Sequence, residues 1–131
     1  MLTTWAADCA EHVLALFEAT QRKDGRPREA IGAARAWILG EMNVAQVRLA
    51  SSAAHAAARA SEHPAAIAAA RAAGYAVGTG HAAGHSIAAA AYARKAVAAD
   101  NPKRLTAERQ WQMRRLPKHL PAFVFRNPAR G

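Results

Sequence analysis

The chain has 131 residues, a formal net charge of +9, and one cysteine among 52% hydrophobic residues. That length buries a core without metal or disulfide staples, and a lone Cys9 excludes an internal disulfide. Alanine dominates and aromatic residues are only 6%, which favours helices throughout because alanine is the best helix former. No charged and then apolar leader opens the chain, since Asp8 and Glu11 interrupt it, so a cytoplasmic location is expected.

The first helix is expected to start after Thr3 or Thr4, either of which can cap it. Trp5, Cys9, Val13, Leu16 and Phe17 recur at helical spacing and form a large apolar face. Gln21 to Gly25 reads as a polar turn with a glycine stop. Pro27 suits the first position of a second helix, where a missing N–H costs nothing. Its apolar face comprises Ala30, Ile31, Ala34, Trp37 and Ile38. Gly40 and Asn43 mark a break, and Asn43 caps a third helix from Val44 to about Ser61 with Val47, Ala50, Ala54 and Ala57 or Ala58 turned inward.

His63-Pro64 starts a fourth helix through Ile67 and Arg71 to about Val77. Gly78-Thr79-Gly80 reads as a break, with Thr79 capping a fifth helix that ends near Asp100. Asn101-Pro102 starts a sixth, with Leu105, Trp111 or Gln112, and Leu116 as a weaker apolar stripe. Pro117 stops it. Residues 1–116 thus read as a single all-α domain, a compact bundle or short α-solenoid of five to six helices. Residues 117–131 read as a basic, proline-containing tail, docked through Leu120, Phe123, Val124 and Phe125 or partly extended.

The stretch from Gly74 to Tyr92 has no charged side chain and little side-chain volume, so it buries area only where neighbouring backbones come close. It is expected to be central. Its glycines and histidines make it too weakly hydrophobic for a membrane span, and none is expected. The net charge lies wholly in the second half: seven Lys or Arg face seven Asp or Glu up to Glu62, and eleven face two after it. Arg94, Lys95, Arg104, Arg109, Arg114, Arg115 and Arg126 form the expected basic patch. Such asymmetry suits an acidic partner or nucleic acid.

His81 and His85 have the spacing of two metal ligands on one helix face, and His55 or Asp8 could supply a third. Ala82 stands where a zinc protease needs glutamate, so no metal is expected. No glycine loop follows a strand, and no cofactor is expected. Cys9 lies on an apolar face as a small buried hydrophobe. No serine or carboxylate pair has a catalytic setting, so the chain does not read as an enzyme. The polar residues on otherwise apolar helices, Asp8, Arg35, His55, His81 and His85, and those near turns, Asp24, Arg26, Arg28 and Glu41, are expected to pair or bind. Asp8 with Arg35 or Arg28 would pin the first two helices together.

Several segments carry a family resemblance. They are Trp5-Ala-Ala-Asp8-Cys9-Ala10, Asp24-x-Arg26-Pro27-Arg28-x-Ala30-Ile31, Ala34-Arg35-Ala36-Trp37 and Gly40-Glu41. Further on come Ala54-His55-x-Ala57-Ala58-Arg59, Ala70-Arg71-Ala72-Ala73-Gly74 and Thr79-x-His81-x-x-x-His85. From Trp5 to Val97 the chain resembles the small all-helical immunity proteins of bacterial polymorphic-toxin systems. It departs from that pattern at Tyr75, where a histidine is expected, and at Gly80, where alanine is expected. The resemblance implies a helical fold and a non-enzymatic role, neutralising a toxin by direct binding. The alternative is nucleic-acid binding through the basic half, with Trp111, Phe123 and Phe125 stacking among the arginines. A second copy of the chain stands as a further partner.

Overall fold

Large apolar side chains are concentrated on the first helix, and the buried hydrophobic residues after it are mostly alanine; the packing follows from that imbalance. A computed structural model describes residues 2–79 and 84–117. Among these residues there are six α-helices and no strand. The expectations for Gly80, His81, the tail from Lys118 onward and its Arg126 lie outside the described residues.

Helix α1 (Leu2–Glu18) turns Trp5, Cys9, Val13, Leu14 and Phe17 inward. It begins at Leu2, so Thr3 and Thr4 lie inside it rather than capping it. α2 (Arg26–Ile38) starts with Pro27 in its first turn, as its missing N–H allows. Gly25 has φ −85° and is the residue before α2, not a left-handed stop for α1. α2 ends in a Schellman turn: Gly40 at φ 74° lets its N–H reach Trp37 O and the Glu41 N–H reach Ala36 O, at 3.0 and 2.9 Å. Ile38, expected on the apolar face, is 43% exposed because α2 ends there.

α3 (Val44–Ala60) opens with a full capping box: the Gln46 N–H donates to Asn43 Oδ1 (2.8 Å) and the Asn43 N–H donates to Gln46 Oε1 (2.9 Å). α4 (Pro64–Gly78) follows His63, and ten of its fifteen residues are buried. It packs against α1, α2, α3 and α5. The part of the alanine- and glycine-rich stretch that lies in α4 is therefore interior, but the centre of the fold begins earlier than Gly74, at Ala66. α1 also packs on α5, which a solenoid of neighbour-only contacts would not do. The architecture is a bundle.

Thr79 belongs to the end of α4, not to the start of the next helix. Its hydroxyl donates to Ala76 O (2.8 Å) and shares a second hydrogen bond with the Thr3 hydroxyl (2.8 Å), tying that end to α1. α5 (His85–Asp100) has no side-chain cap. A 3-10 turn, Pro102–Arg104, with Asn101 Oδ1 accepting from the Lys103 N–H, leads into α6 (Leu105–Arg115). No helix among the described residues is long and apolar enough to cross a membrane.

Candidate interaction surface

Two groups of polar side chains interrupt the alanine packing, one between α3 and α4 and one where α6 lies on α1 and α5. The first arises because α3 and α4 approach very closely at Gly74. There the Ser51 hydroxyl donates to Gly74 O (2.9 Å), and His55, one turn later, lays its imidazole on the glycine. A Cβ at Gly74 would come within 2.7–2.9 Å of the His55 ring atoms, so only glycine leaves room for it. Gly78, one turn further on, seats the His85 ring in the same way, and a Cβ there would collide with His85 Nδ1.

Tyr75 fills the space between these rings. It meets His55 edge-on at 4.7 Å and His85 at 5.3 Å, and stacks on Tyr92 of α5 at 5.3 Å. Lys95 extends the row, its Nζ 4.8 Å above the Tyr92 ring. On the other side of His55 the Arg71 guanidinium lies 2.8 Å from His55 Nδ1. An arginine can only donate, so Nδ1 is the accepting nitrogen and the ring proton sits on Nε2. Burial, with Arg71 and Arg59 adding repulsion, lowers the His55 pKa to about 4. The ring is neutral near pH 7. Ser52, His55, Arg59, Arg71 and Tyr75 together line a cleft of about 350 Å³. Neither Arg59 nor Arg71 has a carboxylate partner among the described residues.

The second group is built from α1, α5 and α6. Gln112 is fully buried; its amide donates to Ala90 O (3.0 Å), and its Oε1 accepts from Arg94 (2.8 Å). The Trp5 indole N–H donates to the Gln112 carbonyl at 2.9 Å. Glu108, 5% exposed, has its Oε1 2.8 Å from His12 Nδ1, and its pKa is pushed up by burial. Burial likewise raises the thiol pKa of Cys9, with Glu108 and Asp8 adding to it, so this cysteine stays protonated and unreactive. His12 also stacks flat on Trp111 at 3.6 Å, and the Arg115 guanidinium sits over the same ring at 4.6 Å.

A family model, the Imm-5 like putative immunity protein, matches residues 1–119. The chain belongs to this family. No curated protein and no solved structure gives a significant match.

Within this Imm-5 like fold the other expected site residues fall into separate places. Arg35 bridges to Asp8 and Glu11, both at 3.1 Å, which joins α2 to α1 as expected. Arg28 instead pairs with Glu18, at 2.7 and 2.8 Å through two guanidinium nitrogens, and holds that carboxyl below its ordinary pKa. Asp24 accepts from both the backbone and the guanidinium of Arg26, closing the turn before α2. Trp37 packs half-buried on the core, and Glu41 is exposed. His55 and His85 flank Tyr75, and among the described residues no three His, Cys, Asp or Glu side chains converge on a metal site.

The basic patch is less continuous than its sequence suggests. Arg94 is 4% exposed and belongs to the buried network, not to the surface. Arg104 lies near Asp100 (4.0 Å), Arg115 near Asp8 (3.9 Å), and Arg114 is free to solvent. Trp111, the one described member of the expected base-stacking set, already carries His12 and Arg115 on its ring. Sequence reasoning missed the α3–α4 cleft, although His55 and Arg59, and Arg71 and Tyr75, are each spaced four apart and so share a helix face.

Proposed function

We propose that this protein is a non-enzymatic immunity protein that neutralises a bacterial toxin by binding it directly, inside the cell that makes both. The observation that carries the reading is the family match across residues 1–119. The chemistry of the α3–α4–α5 face supports it: Tyr75, Tyr92, Arg59 and Arg71 are the residue types that anchor protein interfaces, since they combine large rigid contact area with multivalent hydrogen bonding. The polar centres work in the same direction. His55 Nδ1 accepts from an arginine, Glu108 is held against His12, and Cys9 is buried and protonated, so each is spent on structure.

The test is co-expression with the toxin candidate of the same locus. Survival of cells carrying both genes, with a stoichiometric complex that persists after nuclease treatment, is the expected result. Growth arrest despite full expression of the folded protein would refute the reading.

A further inference from the structure

The α3–α4 cleft is a place where positive charge has been assembled and not answered. Arg59 and Arg71 both line it with Ser52, His55 and Tyr75, and none of these five residues is acidic. Elsewhere on the surface the guanidiniums of Arg26, Arg28 and Arg35 each meet a carboxylate within 3.1 Å. Among the described residues Arg71 has one side-chain hydrogen-bond partner, His55 Nδ1. That contact uses one of its five N–H donors and leaves the rest of the fork available. It also fixes the fork, because His55 is itself wedged on Gly74.

We propose that this cleft is the anchor site for a carboxylate side chain, an aspartate or glutamate on the surface of the toxin. The proposal rests on the immunity reading and adds the chemistry of the contact. Two guanidiniums receive an acid bidentately with charge-assisted hydrogen bonds, the geometry that favours arginine for carboxylates. The Ser52 hydroxyl supplies a further donor, and the Tyr75 ring gives the acid's methylene groups an apolar floor. Neutral His55 positions Arg71 without adding a third charge. The tyrosine row from Tyr75 to Tyr92 continues the surface beside the cleft, so an acidic residue seated there would bring its neighbours onto aromatic area. Inorganic phosphate has related chemistry, and the experiment separates the two.

The arginine Nε–Hε resonances of the full chain would be followed by NMR during titration with three probes. These are an end-blocked Gly-Glu-Glu-Gly peptide, its Gly-Gln-Gln-Gly counterpart, and inorganic phosphate, all at constant ionic strength. The expected result is a saturable shift of the Arg59 and Arg71 signals with the glutamate peptide, none with the glutamine peptide, and loss of the shift in Arg59→Gln and Arg71→Gln. No saturable shift, or a shift with phosphate alone, would overturn the carboxylate site. Arg59 is exposed, so Arg59→Gln keeps the fold and serves if Arg71→Gln perturbs it. In parallel, Arg59→Gln/Arg71→Gln should weaken the toxin complex by about tenfold or more. Unchanged affinity overturns the anchor while leaving the immunity reading intact. Failure of the wild-type chain to bind the toxin overturns the immunity reading, and with it the toxin as source of the acid, whatever the peptide does.

Discussion

Gln112 joins three helices through one side chain and its own carbonyl: Ala90 and Arg94 on α5, Trp5 on α1. Replacing it with alanine takes the acceptor from a guanidinium that is only 4% exposed. A cost of about 1.5–3 kcal/mol is expected, because a buried hydrogen bond to a charged group and the contact with Ala90 are lost together. The check is a lower urea midpoint with an unchanged slope, against Arg114→Ala, an exposed change expected to stay within about 0.5 kcal/mol. Sequence alone did not reveal this network. Gln112 is one of two choices for the apolar stripe of the sixth helix, and its buried partners sit on other helices, where the spacing of one helix cannot name them. His55 makes a second residue-scale prediction. Its folded pKa, lowered to about 4, lies below the unfolded value of 6.5. As pH falls through that window the unfolded chain takes up the proton first, so this contribution to stability is lost on acidification. Glu108, with its pKa raised by burial, works in the opposite sense. The difference between wild type and His55→Gln isolates the histidine: the thermal midpoint of wild type should fall more steeply from about pH 7 to pH 4.5 than that of the variant.

At the scale of elements, helix ends and close approaches divide what could be read from what could not. The Asn43 cap, the Pro27 and Pro64 starts and the α2 stop at Gly40 were legible, because each rests on local chemistry of one to four residues. Asn43→Ala should lower stability by about 1 kcal/mol, the usual cost of losing a capping side chain, measurable by thermal or urea denaturation. Thr79 was misassigned because a threonine between two glycines suits the start of a helix as well as the end of one, and only its contact with Thr3 decides. The seat of His55 on Gly74 was likewise hidden, since an isolated glycine in an alanine run says that something comes close and not what. Gly74→Ala forces the imbedded imidazole and with it Arg71 to move. It should destabilise the protein by about 1–3 kcal/mol, the range for overpacking a close contact. The same substitution should displace the His55 ring resonances, which a purely helical effect of alanine would leave in place.

The described residues form a bundle in which α1 supplies the bulk and α4 the centre, and the chain's net charge of +9 is spread unevenly along the sequence. Fold class and the interior position of α4 followed from composition, since few other structures can use a core of methyl groups. The proposed binding face did not follow, because the basic count points to the C-terminal half while one of its arginines, Arg94, is buried. These two kinds of charge should act on different rates of complex formation. Exposed cations such as Arg114 set the long-range field, which steers an acidic partner and is screened within about 8–10 Å at physiological salt. Arg59 and Arg71, in the proposed anchor site, would act at contact, where buried charge pairs govern how long a complex lasts. Raising salt from about 50 to 200 mM should therefore slow association of the toxin by several-fold and leave its dissociation nearly unchanged. Arg114→Glu should reproduce the effect of salt, and Arg71→Gln should instead speed dissociation. Stopped-flow or surface-plasmon measurements would separate the two, and association insensitive to salt would mean that the toxin surface meeting this protein is not acidic.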